Sequence, residues 1–421
     1  MAVDPRQIVG AFLTLSMFAM LGNMVKKDHF DSLEVTLPGA SSGHFDVIKV
    51  EKVEDQGPDM DTIPSNGPWD KAGQELKPCW TKLSPKVEQS EGFITFSLMH
   101  GPEYHVSQVA DAVVIARYLG ATLVLPDIRG SRVGEKMSFQ DLYDLTKFVK
   151  SLDGVVKIST NQPPEIAEGK LSVMKVHNRV TEDYITKNVE PIYKTKRHLR
   201  IVSSFSSANM KTMENQKGES HSVACLGMFG ALELQPEIYE VVGLMMERLR
   251  TLGRKSGGRF IAVDLRLDLL DKKGCIGAEG RKTCYNAQEV GVFLRKVGFG
   301  DETTIYLTQT WWHESLNPLK ALFPKTYTKE DIILAEKKQK FLQSGNSDLE
   351  KSLDFHICSQ SDAFVPAISG LFYGNVAGRR IAFGKTQILV PKQVNSNSAS
   401  ASDFVSTYVT QKNHMAYSCY C

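Results

Sequence analysis

The sequence lacks a strong net charge, and it also lacks a phosphate-binding P-loop. Its 50 basic and 48 acidic residues leave a formal net charge of +2. This is too close to neutral for a surface that binds a polyanion, so nucleic acid is excluded as a partner. No GxxxxGK[ST] stretch occurs in the chain, which excludes a P-loop nucleotide site. No internal repeat of short fixed period is present either.

Cysteine is scarce and shows no metal-binding spacing. The 7 cysteines form no CxxC pair and no His/Cys cluster at zinc spacing, so we expect no metal site. Asp59-Met60-Asp61 has the form of a metal-binding Asp-x-Asp, but it lies in a proline-rich spacer rather than on a buried strand. Cys275 and Cys284 flank a short loop that a disulfide would close in an oxidising compartment, whereas in a reducing cytosol both would stay free thiols.

One long run of residues carries no charge. Residues 8–25, IVGAFLTLSMFAMLGNMV, would reach about 27 Å as a helix, close to the thickness of a bilayer core. We predict an uncleaved signal anchor after a cytoplasmic tail at 1–7, because the run ends in a poor cleavage site; a removed signal peptide is the alternative. Arg6 before the run and Lys26 and Lys27 after it mildly oppose a lumenal body.

The remaining sequence divides into a spacer, two domains and a tail. Prolines and glycines interrupt any regular period in residues 26–90, which predicts a lumenal stem. We expect one Rossmann-like domain at 91–235 and a second, nucleotide-sugar-binding one at 236–392, since 42% hydrophobic content suffices for two cores. Residues 393–421 begin with a Ser/Asn-rich stretch and are predicted to be a linker and C-terminal tail.

Alternation of strands and helices predicts the fold class of both domains. Residues 93–98 have the pattern of a buried strand, residues 104–119 that of a helix stopped by Gly120, and residues 122–125 that of a second strand. The same order restarts with a helix at 237–252 and a strand at 259–268. Strand, helix and strand in this order predict an α/β fold with parallel sheets.

The second strand pattern carries a group of charges. If residues 259–268 are extended, Asp264, Arg266 and Asp268 share one face while the leucines between them point the other way. Ligands bind at the carboxyl ends of parallel strands, and a guanidinium suits phosphate oxygens. Arg266 is therefore predicted to hold a diphosphate; a salt-bridge cluster without a ligand is the alternative.

The turn after the first predicted strand is a further candidate for ligand binding. His100 and Gly101 precede a helix whose amino terminus favours an anion. Glu103 would repel a diphosphate there, so it is predicted to orient a hydroxyl or to act as a base, unless it is an ordinary first-turn carboxylate. Trp311 and Trp312 follow a strand and offer a platform for a sugar ring, although core packing is the more frequent use of tryptophan.

Several of these segments resemble plant O-fucosyltransferase family proteins. Residues 99–126, MHGPEYHVSQVADAVVIARYLGATLVLP, align without a gap with that family's opening motif, which reads roughly GGLNQQRxxIxDAVAVARxLNATLVLP. Residues 139–152, 259–268 and 286–307 resemble its later blocks, and so does the stretch from Ser361 to Pro366. The likeness covers about residues 93–389, and the whole chain most resembles the mannan-synthesis-related branch.

The resemblance implies a GT-B fold with two domains facing a cleft, and a type II Golgi membrane protein. It further implies inverting, metal-independent transfer from a nucleotide sugar, with a GDP-sugar favoured and no cofactor. The family's HLRxE block falls on residues 264–268 and keeps Arg266, while Asp264 and Asp268 replace its His and Glu. Its C-terminal block places Ser361, Asp362 and Phe364 near the nucleotide.

Two functions are therefore compatible with the sequence. The first is a Golgi glycosyltransferase of mannan or glucomannan synthesis, in which Arg266 holds the donor and Glu103, Asp264 or Asp268 deprotonates a polysaccharide hydroxyl. Rhamnosyl transfer to pectin is a variant of this function. The second is a non-catalytic subunit that supports a mannan synthase, which the altered donor motif suggests.

Overall fold

The computed structural model describes residues 68–69, 73–80, 92–129, 136–168, 171–206, 209–212, 218–273, 275, 282–344, 347–392 and 400–421. The predicted cytoplasmic tail, the apolar run at 8–25 and the Asp59–Asp61 motif lie outside these residues. Within the described ranges, every helix is too short or too polar to cross a membrane.

The described chain alternates strands with helices, as the patterns predict. The strands are β1 (Phe93–Phe96), β2 (Leu98–Met99), β3 (Thr122–Val124), β4 (Ile128–Arg129), β5 (Lys136–Met137), β6 (Ile158–Ser159), β7 (Ser172–His177), β8 (His198–Ser204), β9 (Phe260–Asp264), β10 (Thr304–Leu307), β11 (Thr326–Tyr327) and β12 (Ala363–Pro366). The helices are α1 (Pro102–Leu119), α2 (Phe139–Leu142), α3 (Leu145–Ser151), α4 (Pro164–Ala167), α5 (Glu182–Tyr184), α6 (Glu190–Lys196), α7 (Glu219–Phe229), α8 (Pro236–Leu252), α9 (Leu267–Lys273), α10 (Ala287–Val297), α11 (Asn317–Leu322), α12 (Lys329–Ile332), α13 (Ala335–Lys338), α14 (Ser347–Gln360), α15 (Leu371–Ala382), α16 (Thr407–Thr410) and α17 (Ala416–Cys419).

The N-terminal half is built on a parallel sheet of order β6-β3-β1-β8-β7. β1 lies at its centre, and all four of its residues, FITF, are accordingly buried. Helix α1 packs on one face of this sheet and ends at Gly120, whose left-handed backbone (φ 67°) suits glycine. Helix α7 lies directly on α1, since a Cβ at Gly227 would come within 2.8 Å of the Ala110 backbone.

The C-terminal half is a second parallel sheet, of order β11-β10-β9-β12. Two parallel sheets flanked by helices confirm the predicted α/β class. Asn286 and Glu289 form a capping box at the start of α10. The predicted strand at 259–268 is wrong at its end, because the chain leaves the sheet after Asp264 and a helix begins at Leu267.

Both ends of the described chain pack against the body, which differs from the predicted stem and tail. Trp69, in the last part of the predicted stem, lies edge-on to Phe299 at 4.9 Å and beneath Arg259. In the predicted tail, Phe404 is fully buried in the C-terminal core, and the Met415 amide donates to the Met210 carbonyl of the N-terminal half. The burial of aromatic and apolar side chains therefore fixes these segments on the body, although their proline and serine content predicted a loose stem and tail.

Three disulfides form among the described residues, and two of them hold the end segments. The predicted Cys275–Cys284 bond is present, and it is joined by Cys79–Cys421 and Cys225–Cys419. Cys358 is a buried free thiol. His221 lies beside Cys225 and Cys419. Because these two cysteines are joined in a disulfide, neither offers a thiolate to a metal.

Replacing both cysteines of the Cys225–Cys419 bond by serine is expected to lower the free energy of unfolding by about 2–5 kcal/mol. The loss should exceed that of the same change at Cys275–Cys284 by roughly 2–3 kcal/mol, because loop-closure entropy grows with loop length. The two bonds join positions 194 and 9 residues apart. Urea denaturation of the two double variants measures the difference, and a larger loss for the short loop would contradict it.

Candidate active site at the junction of the two sheets

Arg266 lies just beyond the carboxyl end of β9, where the sequence predicts a ligand-binding cation. Its Nε and Nη2 donate to the two carboxylate oxygens of Asp264 at 2.9 and 3.3 Å. Its guanidinium stands 4.8 Å from the centre of the Phe372 ring, and the side chain is 14% exposed. The guanidinium is thus held in one orientation and still reaches the surface.

Glu103 brings a second carboxylate to Arg266 from the other sheet's helix. It belongs to the first turn of α1 and is 1% exposed, with Oε1 lying 3.7 Å from Arg266 Nη1. Neither carboxylate oxygen accepts a hydrogen bond from the described residues. The pair therefore spans the two halves of the molecule and leaves one buried carboxylate with unused acceptor capacity.

Glycine is required where α1 begins. Gly101 has φ 119°, and a Cβ there would lie 2.7 Å from Lys351 Cδ and 3.0 Å from Glu103 Oε2. Lys351, on α14, donates to the His100 carbonyl at 2.9 Å. His100 and Gly101 are therefore at the site, as predicted, and Lys351 adds a cation that the sequence analysis did not identify.

The charges at this site shift the pKa values of its members. Burial raises the pKa of Glu103 to about 7, even though Lys351 and Arg266 both act to lower it. Burial would lower the pKa of Arg266, but Asp264 and Glu103 outweigh it and raise the pKa above its ordinary value. Burial and Lys351 lower the pKa of His100 to about 3, so this ring is neutral at physiological pH.

A narrow cavity of about 10 Å³, with room for about one water molecule, opens beside Arg266. Asp264 and Leu269 line one side, and residues 368–372 line the other. Gly370 is the N-cap of the twelve-residue helix α15, so the free amides of that helix's first turn lie at the cavity. An anion in this cavity would meet a guanidinium and a helix amino terminus together.

Three residues that the sequence analysis missed hold the site together. Thr308 donates through its hydroxyl to Asp264 at 3.1 Å. Asn375, on α15, donates to the Glu103 carbonyl at 3.1 Å. With Phe372 beneath the guanidinium, these contacts fix the acidic partners of Arg266, and no short motif would have identified them.

Ser361, Asp362 and Phe364 are not brought to this site. β12 runs parallel to β9, and Pro366 pairs with Asp264, so residues 361 and 362 lie at the opposite, amino end of the sheet. Asp362 accepts hydrogen bonds there from the Phe260 amide and from Arg250. Ser361 accepts one from the buried Arg380, and Phe364 is fully buried in the core. Their contacts support the fold rather than a ligand.

Asp268 and the tryptophans also differ from their predicted places. Asp268 is exposed in the first turn of α9, because the strand ends too early to bring it onto the face of Asp264. Trp311 is 41% exposed, while the Trp312 indole donates to Asn317 and lies under Lys320. Of the two rings, only Trp311 has an exposure suited to stacking on a ligand.

Comparison with known proteins identifies the class. The family model described as GDP-fucose protein O-fucosyltransferase matches residues 103–382, so the chain belongs to that family. Within it, the chain is similar to Protein MANNAN SYNTHESIS-RELATED 1 of Arabidopsis thaliana, which is 53% identical over 426 residues and covers 100% of both chains. Protein MANNAN SYNTHESIS-RELATED of Trigonella foenum-graecum is 47% identical, again over 100% of both. The predicted family and branch are confirmed.

Solved structures resemble the chain more weakly. A crystal structure of POFUT1 in complex with GDP matches at a TM-score of 0.36 and 14% identity, covering 71% of this chain and 98% of that one. A likeness at this level supports no conclusion about the donor or its site.

Substituting Glu103 by Gln is expected to stabilise the protein at pH 8. The pKa of Glu103 is about 7 in the fold against an ordinary value of 4.5, so its stabilising contribution is present below pH 4.5 and is lost as the pH rises through 7. Gln removes that loss, worth up to about 3 kcal/mol. Urea denaturation at pH 5 and pH 8 measures it.

The control for this experiment is Glu336→Gln, at an exposed position that makes no ion pair among the described residues. It should leave the pH dependence of stability unchanged. A Glu103→Gln variant less stable than wild type at pH 8 would show instead that the ionised carboxylate holds Arg266 in place.

Proposed function

We propose that the chain is a glycosyltransferase that binds the diphosphate of a nucleotide sugar at Arg266 and the amino end of α15, and that it serves mannan biosynthesis. The observation that carries the proposal is the cavity shared by the guanidinium and the start of that helix. The family model supports a transferase, and the names of the full-length relatives support mannan as the product.

Arg266 has the donors that this role requires. Two of its five N–H groups are used by Asp264, which leaves three for phosphate oxygens. As the bond from the sugar to the diphosphate breaks, the electron pair passes to the leaving nucleotide. Arg266 and the α15 amides stabilise the negative charge that grows there.

Glu103 is the proposed general base. A pKa of about 7 matches a group that must be ionised to accept a proton near neutral pH. Its oxygens have no hydrogen-bond donor among the described residues, so an acceptor hydroxyl fits the unused capacity. The hydroxyl oxygen attacks the anomeric carbon, its proton passes to Glu103, and the sugar inverts without a metal. GDP is the favoured nucleotide, as the family's description suggests.

A non-catalytic role in support of a mannan synthase is the second candidate. Asp264 and Glu103 already balance the charge of Arg266, and the cavity of about 10 Å³ is too small for a diphosphate unless the site opens. A diphosphate must therefore displace Glu103 or meet it in its protonated form. If neither occurs, the fold would act as a binding partner of the synthase rather than as an enzyme.

We place the protein in the Golgi membrane, single-pass and type II, with its folded body lumenal and its acceptor a polysaccharide. Three disulfides favour an oxidising compartment, and the apolar run at residues 8–25 suits a signal anchor. In sealed microsomes the body is expected to resist added protease until detergent is present. Digestion of the body without detergent would instead place it on the cytoplasmic side and contradict the proposed topology.

Titration calorimetry of the full-length protein with GDP and UDP tests the transferase proposal. Wild type is expected to bind GDP, and Arg266→Ala to weaken binding at least tenfold because the diphosphate loses its bidentate partner. The matched control is Asp362→Asn, which should lower thermal stability and leave GDP affinity intact, since Asp362 serves the opposite end of the sheet. Absence of nucleotide binding by wild type would favour the supporting role.

A further inference from the structure

A second, larger cleft lies in the N-terminal half. Its cavity volume is about 270 Å³, and it shares no lining residue with the cavity at Arg266. Thr95 and Ser97 lie on its floor, both buried, and Arg129, Lys136 and Arg200 line it. Asp127 is the one acidic residue among its described lining residues, so cations outnumber carboxylates three to one.

The register of the sheet explains why these residues meet. Thr95 pairs directly with Arg200 on the neighbouring strand, and paired residues point to the same face of a sheet. Ile94 and Leu199 therefore point to the opposite face, where they are buried in the core. On the face of the cleft, Val173 pairs with Arg200 and is 62% exposed, so no described element covers that edge.

The cations of this cleft have no partners within the described residues. The side chains of Arg129, Lys136 and Arg200 make no ion pair or hydrogen bond there, and neither do the hydroxyls of Thr95 and Ser97. Burial and the neighbouring Arg129 both lower the pKa of Arg200. Two like charges thus stand close together, and Asp127, the one carboxylate among the described lining residues, forms no ion pair with either of them.

Arginines that support the fold are treated differently in this protein. Arg117, 6% exposed, pairs with Glu219 and donates to the Val155 carbonyl at 2.9 Å. Arg380, fully buried, donates to carbonyls including those of Cys358 and Ser361. A structural role thus leaves these two buried arginines satisfied, whereas the half-buried side chain of Arg200 has no partner among the described residues.

We propose that this cleft binds a polyhydroxylated ligand that carries an anionic group, a carboxylate or a phosphate, as found on an acidic oligosaccharide or a sugar phosphate. The guanidinium groups of Arg129 and Arg200 hold the oxyanion, which relieves their mutual repulsion. Lys136 adds a point charge, and Thr95, Ser97 and Gln162 exchange hydrogen bonds with ligand hydroxyls. The site is independent of the proposed transferase reaction.

Calorimetry of the full-length protein with three probes tests the proposal. Trigalacturonate carries carboxylates, mannose 6-phosphate carries a phosphate, and mannotriose is neutral. At least one charged probe is expected to bind, more weakly as salt is raised, and the tighter of the two identifies the natural group. Binding of mannotriose at equal strength, or of neither charged probe, would overturn the proposal.

The double variant Arg129→Gln/Arg200→Gln is expected to weaken that binding at least tenfold. Lys175→Gln is the matched control, because Lys175 lies exposed on the same sheet face, in register with Val202, but outside the cleft. Equal loss in the control would attribute the binding to general surface charge and overturn the site.

Thermal denaturation without ligand separates a binding role from a structural one. Arg200→Gln is expected to raise the melting temperature, since it removes a charge that burial and Arg129 disfavour; a fall would make Arg200 a support of the fold and overturn the proposal. GDP affinity should be unchanged in the double variant, and trigalacturonate affinity unchanged in Arg266→Ala. The two proposed sites therefore fail separately.

Discussion

The ion cluster of Asp264, Arg266 and Glu103 is the interaction on which the rest of this structure depends. It joins the carboxyl end of the second sheet to the first helix of the other half. Arg266 is the member that cannot be removed cheaply, because its loss would leave the buried carboxylate of Asp264 without a compensating charge. The same cluster would decide the proposed chemistry, because a donor diphosphate would have to displace Glu103 or meet it in its protonated form.

Much of the fold follows from periodicity and from residues with special backbone demands. The helix predicted at 237–252 forms within one residue of its predicted start, at Pro236, and ends at Leu252 as predicted. The strand predicted at 259–268 is too long because Leu265 and Leu267 alternate with charged residues, as they would in a strand. In the structure, Leu267 instead starts a helix. Alternation over a few residues therefore does not distinguish a strand from the first turn of the helix that follows it.

The candidate site was predictable only in part. Arg266 and Gly101 could be located because a cation after a strand and a glycine before a helix have a local meaning. The contact between Glu103 and Arg266 joins residues far apart in sequence, and no local pattern encodes it. The family alignment places Asp362 at the donor site, but an alignment does not show at which end of a strand a residue lies. In the structure the Asp362 carboxylate accepts a hydrogen bond from the Phe260 amide at the amino end of the sheet.

The C-terminal segment restricts how the site can open. Residues 400–421 leave the second sheet at Phe404 and are bonded to the first half through Cys225–Cys419, while Cys79–Cys421 ties in the segment before β1. A wide hinge motion would have to break a covalent tether. If the proposed donor site is right, we expect its ligand to enter through small movements of side chains such as Glu103, and reduction of the remote Cys225–Cys419 bond to let the two halves separate more widely.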